Sequence, residues 1–538
     1  MIAKLPQFPG IAPSDVSDAV RAMIVRIIMV MALVCSVGTL GAWQADNGDG
    51  TFTNPPLYAD YPDPDVIRVG NEFYMATTTF ANSPGLRLLH SRDLVNWEFC
   101  SHVMPRLEGR KEYDLNGGNA YRGGVFAPSL RYHKGTFYVA VTPNGSGEKT
   151  RIYRAKDPRG PWSVQILDRA AFDPGLFFDD DGKGYIVTSG GWDGTVTLLT
   201  LSDDLTKVVS DQKVHFNKGA EGSKLVKRGE WYYLFNAIPG KLALTVSRAK
   251  NLKGPWETRP QIDDKTGGHQ GAIVDLPDGR DFGFVMIDDR FAGRMTNMSP
   301  IFWEDGWPVW GEKEAPGRVP ATARKPVQGV PIMQPATSDD FSRTALGLQW
   351  AWNHNPDDTR WSLTERPGFL RLKPTKSDGF WTARNTLTQK GQGPWSRGDV
   401  KLDLRNLKPG DICGFGTLGK YNGHIAVNCQ ADGRLFLSME VIEDTVGESR
   451  RAERVSHEAF EGKDLYLRTE LDFRGGRARC AYSADGTAWR LLGGDFPATY
   501  DWRTGTFQGP QYAIFCYNSS PGPGLLDVDY FRFSDKPE

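Results

Sequence analysis

Three acidic residues occupy matching positions in the sequence. Asp63 in YPDPDV, Asp173 in AFDPGL and Glu221 in GAEGSK each lie just before a β-rich segment, and Pro or Gly follows each of them. A proline fixes the backbone next to the carboxyl group and so aims it. Carboxyl groups that converge in this way suit hydrolysis of a glycosidic bond, in which one carboxylate activates water and a protonated one delivers a proton to the leaving group. The alternative is ordinary turn chemistry, which each Asp-Pro or Glu-Gly pair also fits.

A repeated hairpin pattern predicts how these acids come together. β-rich segments around a polar turn recur at 65–79, 128–142, 174–188, 223–235 and 271–287. Their central aromatics follow one another at intervals of 64, 47, 48 and 51 residues: Tyr74, Tyr138, Tyr185, Tyr233 and Phe284. The intervals are close to the roughly 40 to 50 residues of a propeller blade. Four of the five hairpins are followed by a further strand pair, so we predict a five-bladed β-propeller with the acids at one end of its axis.

The pattern changes after Trp307. A Pro- and Gly-bearing connector (KPVQGVPIMQP, 325–335) leads into many short alternating segments such as FLRLKP and LYLRTELDF, which predict a β-sandwich. The chain is therefore predicted to be all-β. Its predicted parts are an N-terminal extension with a signal peptide (1–45), the propeller (46–320), a linker (321–337) and a β-sandwich or jelly-roll domain (338–538).

Composition excludes several classes of protein. The 64 Lys and Arg residues nearly balance the 65 Asp and Glu residues, which leaves a formal net charge of −1. Surfaces that bind nucleic acid or anionic membranes need a basic excess, so neither partner is expected. The 39% of apolar and 12% of aromatic residues exclude a disordered chain.

An apolar run near the N-terminus predicts export. Residues 27–37 (IIMVMALVCSV) follow Arg26 and precede small residues, which is the layout of a secretory signal. The run is shorter than the roughly 20 residues that cross a bilayer, so no membrane attachment is expected after the signal is removed. We predict a periplasmic or extracellular protein; a buried helix of the mature domain is the alternative.

Several of these segments together resemble a known family. NPPLYADYPDPDVIRVGNEFYM, GGVFAPSLRYHKGTFYV, AEGSKLVKRGEWYYLF and GGHQGAIVDLPDGRDFGFVM resemble glycoside hydrolase family 43, in this order, across about residues 54–310. The remainder resembles the concanavalin-like sandwich of that family's β-xylosidases. The resemblance implies that Asp63 is the general base, that Glu221 is the general acid and that Asp173 orients the acid and tunes its pKa. It also implies inversion at the anomeric carbon.

The resemblance implies further contacts. His269 in GGHQGA is expected in the central channel, where it touches substrate or a hydrated calcium ion, and Arg294 is expected to grip sugar hydroxyls. Phe126 stands where many relatives have Trp, and Phe507 is expected to reach over the pocket from the sandwich. The alternatives are a structural histidine and an arginine on the solvated surface.

A calcium ion is the one metal that the resemblance implies. Asp340 and Asp529 match a pair that holds structural calcium in related sandwiches; two aspartates in edge turns are the alternative. No cofactor is expected for the chemistry itself.

Two functions follow from these residues. The first is an exo-acting glycosidase that releases terminal β-D-xylosyl or α-L-arabinofuranosyl residues from plant cell-wall oligosaccharides and polysaccharides. The second is a non-catalytic carbohydrate-binding propeller, which would keep its aromatic residues and lose its carboxylates. All three acids are present, which favours the enzyme. The sequence leaves open the choice between xylose and arabinose, the natural polysaccharide and the oligomeric state.

Overall fold

The computed structural model describes residues 43–537, apart from 146, 191–192, 263–267 and 445–450. The predicted signal peptide therefore lies outside the described residues, except for the last positions of the predicted 1–45 segment. Within the described part of the chain, no helix has the length and apolar character needed to cross a membrane.

The first half of the described chain is built from short strands. In chain order they are β1 (Thr51–Thr53), β2 (Asp65–Val69), β3 (Glu72–Thr77), β4 (Asn82–Ser83), β5 (Gly85–Ser91), β6 (Trp97–Met104), β7 (Gly124–Val125), β8 (Ser129–His133), β9 (Thr136–Val141), β10 (Pro143–Asn144), β11 (Arg151–Ala155), β12 (Ser163–Ile166), β13 (Gly175–Phe178), β14 (Gly184–Ser189), β15 (Thr195–Leu201), β16 (Val208–Phe216), β17 (Glu221–Arg228), β18 (Trp231–Ile238), β19 (Ala243–Ala249), β20 (Glu257–Ile262), β21 (Gly268–Asp275), β22 (Asp281–Asp289), β23 (Gly293–Glu304), β24 (Trp307–Trp310) and β25 (Thr322–Arg324). Two 3₁₀ helices, Lys111–Asp114 and Pro239–Lys241, interrupt them.

These strands form five four-stranded antiparallel blades. The orders are β2-β3-β5-β6, β8-β9-β11-β12, β13-β14-β15-β16, β17-β18-β19-β20 and β21-β22-β23-β24. The five hairpins predicted from the sequence are the first two strands of each blade, so the five-bladed propeller is confirmed. The second strand pair is present in all five blades, not in four, because β24 continues the fifth blade beyond Trp307, where the sequence pattern changes.

The first strand of each blade faces the propeller axis. β2, β8, β13, β17 and β21 contact one another in a closed ring, with β2 of the first blade against β21 of the last. Each blade comes from one continuous stretch of chain. A separate two-strand sheet of β1 and β25 joins the segments before the first blade and after the fifth.

The second half of the chain supplies the remaining strands. They are β26 (Ala351–Asn353), β27 (Trp361–Ser362), β28 (Leu370–Leu372), β29 (Thr375–Lys376), β30 (Leu387–Lys390), β31 (Trp395–Asp403), β32 (Ile412–Leu418), β33 (Tyr421–Cys429), β34 (Leu435–Glu443), β35 (Arg451–Phe460), β36 (Asp464–Asp472), β37 (Arg477–Ser483), β38 (Arg490–Leu491), β39 (Phe496–Pro497), β40 (Gln511–Asn518) and β41 (Leu526–Ser534), with a third 3₁₀ helix at Phe380–Thr382.

Two packed sheets make the predicted sandwich. One has the order β35-β34-β33-β32-β40-β30-β26-β4, with β29 beside β40, and the other has the order β27-β28-β41-β31-β36-β37-β38, with β39 beside β37. Buried and half-buried residues alternate along β31, as expected for a strand with one face on a core. Phe415 from the first sheet meets Phe531 from the second inside that core.

One strand of the sandwich belongs to the propeller. β4, in the loop between the second and third strands of the first blade, pairs antiparallel with β26, so that Ser83 lies opposite Trp352 and Asn82 opposite Asn353. Asn82 and Ser83 are the residues that precede Pro84-Gly85 in the SPG segment. The edge of the sandwich sheet is therefore closed by a strand from the first blade.

Candidate active site

The two predicted aspartates share one backbone conformation. Asp63 and Asp173 have φ angles of +54° and +43°, in the left-handed region, and each is followed by proline and then an inner strand. A residue other than glycine in this region costs on the order of 1 to 3 kcal/mol. Such strain is retained where the surrounding structure fixes it, and it is common at active sites.

Glu221 is the first residue of β17, in the fourth blade. The ladder between β17 and β18 is irregular just after Glu221, so this residue lies at a bulge. Gly222 follows with φ +58°, and a Cβ atom there would come within 2.0 Å of the Gln270 side chain. Only glycine fits this position, which allows the fourth and fifth blades to approach closely beside the acid.

The structure brings Asp173 and Glu221 together. The Gly222 backbone N–H donates a hydrogen bond of 3.2 Å to Asp173 Oδ2. Burial, and then the charges of Glu221 and Asp63, raise the pKa of Asp173 well above its usual range. Burial and the charge of Asp63 raise the pKa of Glu221 to about 7. Because two carboxylates in one buried site repel, the pair of Asp173 and Glu221 favours holding a proton near neutral pH.

Asp63 is held by a buried arginine. Its side chain is 11% exposed, and Arg294 Nη1 donates to Asp63 Oδ1 over 3.3 Å. Burial raises the pKa of Asp63 above its usual range, and the positive charges of Arg294, His269 and Lys224 offset only part of that rise. The positive charge of Arg294 lies directly beside the Asp63 carboxylate and favours its ionised form.

Lys224 is a second buried cation at the centre of the propeller. Its Nζ lies 3.7 Å from Asp65 Oδ1, and both side chains are almost fully buried. Its charge lowers the pKa of both Asp63 and Asp173. The sequence analysis missed Lys224, although its place three residues after Glu221 on an inner strand was a usable signal.

His269 lies where the sequence predicted it, at the start of β21. Its Nε2 pairs with Asp288 Oδ1 at 2.9 Å, and its buried Nδ1 has no hydrogen-bond partner among the described residues. Its charge lowers the pKa of Glu221 and of Asp63. His269 is therefore oriented by Asp288 and lies within electrostatic reach of two of the three acids.

Aromatic residues from both domains line one side of the site. The rings of Phe80 and Phe507 lie 4.6 Å apart, and Phe126 packs edge-on against Phe80 at 5.7 Å. The Arg294 guanidinium lies 4.9 Å from the centre of the Phe80 ring. Phe126, Arg294 and Phe507 thus lie together, and their contacts with substrate stay a prediction. Phe80 is an addition that the sequence analysis missed.

Tyr500 is a further sandwich residue at this site. Its hydroxyl is buried and has no hydrogen-bond partner among the described residues. Burial raises its pKa, and the charges of Arg294, Asp288, Asp60 and Asp63 all act on it. A buried hydroxyl without a partner costs free energy. No motif in the sequence marked Tyr500, which comes close to Arg294 only through the packing of the two domains.

The structure shows the partners of the two aspartates that the resemblance implies for calcium. Asp340 is exposed and accepts hydrogen bonds from Ser342, whereas Asp529 lies within β41 and pairs with Lys401 at 2.7 Å. Calcium needs six to eight oxygen ligands. Within the described ranges, no group of three or more His, Cys, Asp or Glu side chains is arranged to hold a metal directly. Calcium binding is therefore not confirmed and stays a prediction.

The site is that of a glycoside hydrolase. Buried carboxyl groups, one with a pKa of about 7 and another held by an arginine, converge at the axis of a propeller beside an aromatic wall.

Comparison with known proteins gives the family. Residues 52–308 match the profile of Glycosyl hydrolases family 43, and residues 338–534 match the Beta xylosidase C-terminal Concanavalin A-like domain. The chain is 33% identical to a beta-xylosidase of Formosa agariphila over 92% of each chain. It is 35% identical to a non-reducing end alpha-L-arabinofuranosidase of Bacteroides ovatus, over 62% of this chain and 68% of that protein.

A solved structure agrees with these matches. A bifunctional GH43-CE protein of Bacteroides eggerthii superposes with a TM-score of 0.81 and 35% identity, over 90% of this chain and 64% of that longer chain. The chain belongs to glycosyl hydrolase family 43 and carries the concanavalin-like C-terminal domain found in the family's β-xylosidases.

Proposed function

We propose that this enzyme releases terminal β-D-xylosyl or α-L-arabinofuranosyl residues from plant cell-wall glycans, by a single displacement with inversion. The observation that carries the proposal is the contrast between two buried acids: Arg294 pairs with Asp63, whereas burial and the charge of Asp63 raise the pKa of Glu221 to about 7. One group is thereby favoured as a carboxylate and the other as an acid, which are the two forms that glycoside hydrolysis needs.

In this mechanism Asp63 takes a proton from water. Water attacks the anomeric carbon from the side opposite the leaving group, and Glu221 gives its proton to the departing glycosidic oxygen. Asp173 orients Glu221 and tunes its pKa. The Asp173 carboxyl group accepts a hydrogen bond from the N–H of Gly222, the residue next to Glu221. Since Asp173 and Glu221 repel when both are ionised, a charge on either one favours a proton on the other.

The aromatic wall supports the exo-acting mode. Phe507 from the sandwich packs against Phe80 of the propeller, so a second domain lies over the side of the site next to Arg294. Arg294, with its remaining N–H groups, and His269 are proposed to contact the hydroxyls of the terminal sugar. A short enclosed pocket would accept one terminal residue and reject the interior of a long chain.

Assays of the purified protein test the proposal. We expect hydrolysis of 4-nitrophenyl β-D-xyloside, of 4-nitrophenyl α-L-arabinofuranoside or of both, and release of single pentose residues from short oligosaccharides or arabinan. The ratio of kcat/KM between the two glycosides decides between xylose and arabinose. Binding without hydrolysis of any of these would support the alternative of a carbohydrate-binding propeller and contradict the proposal.

Family 43 enzymes need no cofactor for catalysis, and the roles above use side chains alone. We also propose that the enzyme is exported to the periplasm or the extracellular space, where plant polysaccharides are met. The apolar run at 27–37 supports this proposal. Sequencing of the mature N-terminus tests it, because a cleaved signal leaves a chain that starts after this run.

A further inference from the structure

A buried lysine of the sandwich reaches into the propeller. Lys390 is the last residue of β30 and is 7% exposed. Its Nζ lies 3.3 Å from Asp60 Oδ2, and it donates to Gln508 Oε1 over 3.1 Å. Asp60 is three residues before Asp63 and only 2% exposed. A salt bridge therefore crosses between the two domains in a place that water hardly reaches.

The other oxygen of Asp60 leads to the site. Asp60 Oδ1 accepts the backbone N–H of Arg294 at 2.7 Å. Gly293, just before, has φ +103°, and a Cβ atom there would lie 2.4 Å from Asp60 Oδ1. The Arg294 side chain then pairs with Asp63. Asp60 is thus the link between the sandwich ammonium and the arginine that holds Asp63.

Neighbouring amides fix Lys390 in place. Gln508 Nε2 donates to Asn82 Oδ1 at 3.1 Å, and Asn82 Nδ2 donates to Gln511 Oε1 at 2.8 Å. Asn82 lies in β4, the propeller strand that pairs with the sandwich sheet. We call Asp60, Asn82, Lys390, Gln508 and Gln511 the interdomain network. All five members are buried, and each takes part in a salt bridge or hydrogen bond between the propeller and the sandwich.

The charges of this network act on Asp63. Asp60 is a like charge that raises the pKa of Asp63. Lys390 offsets that charge, and burial lowers the pKa of Lys390 to about 8, so the ammonium form is the main one at neutral pH. The other charged groups that act on Lys390 are Arg87 and Arg294, both cationic. The ring of Tyr61 also lies 5.8 Å from Lys390 Nζ.

We propose that Lys390 is a positioning residue for catalysis: through Asp60 it holds Arg294 against Asp63 and keeps the charge near Asp63 balanced. The sandwich domain thereby sets the state of the residue that activates water, beyond covering the pocket. This inference rests on the proposed general-base role of Asp63.

The test compares three full-length variants over a range of pH. In Lys390→Met the negative charge of Asp60 is no longer offset, so the pKa of Asp63 rises. The acid limb of kcat/KM, which reports the ionisation of Asp63, therefore moves to higher pH. We expect kcat near neutral pH to fall on the order of 10- to 100-fold, because Arg294 no longer holds Asp63 in the position that water activation needs. In Asp60→Asn the like charge is removed, so the acid limb moves to lower pH. In the double variant Asp60→Asn/Lys390→Met both charges are absent, and the limb returns towards that of the wild type.

Lys401→Met is the matched control, because Lys401 pairs with Asp529 on the other sheet of the sandwich. We expect it to keep the wild-type profile. If Lys390→Met lowers only the melting temperature and keeps the kcat and the acid limb of the wild type, Lys390 is a structural bridge and the inference is wrong. If Lys390→Met does not fold, an acid limb in Asp60→Asn that stays in place or moves to higher pH overturns the inference. A wild-type protein without activity on either glycoside contradicts the proposed function itself.

Discussion

The guanidinium carbon of Arg294 lies 4.3 Å from the centre of the Phe507 ring. Arg294 belongs to the fifth blade and Phe507 to the sandwich, so a cation–π contact joins the domains at the catalytic centre. Because the same guanidinium donates to Asp63 and to the backbone oxygen of Phe507, the geometry of the acid and the placement of the sandwich depend on each other.

Glu221→Gln and Asp63→Asn are expected to differ in their dependence on the leaving group. Without its acid the enzyme should lose on the order of 10²- to 10⁴-fold in kcat on xylo- or arabino-oligosaccharides, and much less on glycosides whose leaving group departs without a proton. Asp63→Asn should be inactive on both, because water must be activated in each case. Glu230→Gln, at the exposed turn of the same blade, is the control. Equal residual rates of the two site variants on both substrates would refute the assignment of roles.

The pH dependence follows from the direction of the two pKa shifts. Glu221 acts in its protonated form and has a pKa of about 7, so activity on oligosaccharides should fall as pH rises through about 7. Asp63 acts as a carboxylate, so activity should fall at acid pH, at a value above the usual range of an aspartate because burial raises its pKa. The measurement is kcat/KM against pH. An activated leaving group departs without a proton, so the alkaline limb should flatten with such a substrate. If the limb stays unchanged, it does not report the ionisation of Glu221.

Asp173→Asn should stabilise the fold while it lowers activity. The pKa of Asp173 is raised in the folded protein, so its contribution to stability is present at low pH and is lost as pH rises. The neutral amide avoids that loss. Thermal unfolding should therefore occur at a higher temperature than in the wild type at about pH 8, and the difference should shrink at about pH 4. A difference that does not vary with pH would show that packing, and not charge, is responsible.

Phe507→Ala is expected to weaken catalysis without unfolding the protein. It removes a cation–π contact with Arg294 and one ring of the aromatic wall, which we expect to lower kcat/KM about 5- to 30-fold. Phe507→Tyr keeps the ring and should retain most of the activity. Leu491→Ala, at an exposed sandwich position, serves as the control. Full activity of Phe507→Ala would mean that the sandwich contributes nothing to the pocket through this residue.

The stereochemistry of the product tests the mechanism. If Asp63 activates water and Glu221 protonates the leaving oxygen, the two carboxyl groups are separated by about 6.5 to 9.5 Å and the first product has the inverted configuration. Proton NMR early in the reaction, before mutarotation, reads the anomer directly. A retained anomer, or a glycosyl adduct on Asp63, would require a nucleophilic mechanism.

The sequence predicts those parts of the molecule that depend on local signals. A polar turn between two β-rich segments marks each inner hairpin, because turn chemistry and alternation act over a few residues. The two aspartates carry a local signal as well, since each is followed by a proline, Pro64 or Pro174, just before an inner strand.

Long-range packing explains what the sequence analysis missed. β4 is two residues long and pairs with a strand of the other domain, so no local pattern announces it. Lys390 and Asp60 are 330 positions apart and meet only because the domains dock. The pairing of Asp529 with Lys401 likewise depends on two strands that meet only in the folded sandwich.

The pairing of β4 with β26 has a consequence for folding. Ser83 and Trp352 lie 352 − 83 = 269 positions apart, so closing this contact costs about 5 kcal/mol of chain entropy plus a constant, whereas the hairpins of the blades close over a few residues. Blades and sandwich core can therefore form first, and the β4 contact follows when they dock. Since Asn82 of this strand belongs to the interdomain network, refolding from denaturant should restore the secondary structure before it restores hydrolysis. We therefore expect the enzyme to become active only in the last step of its own assembly.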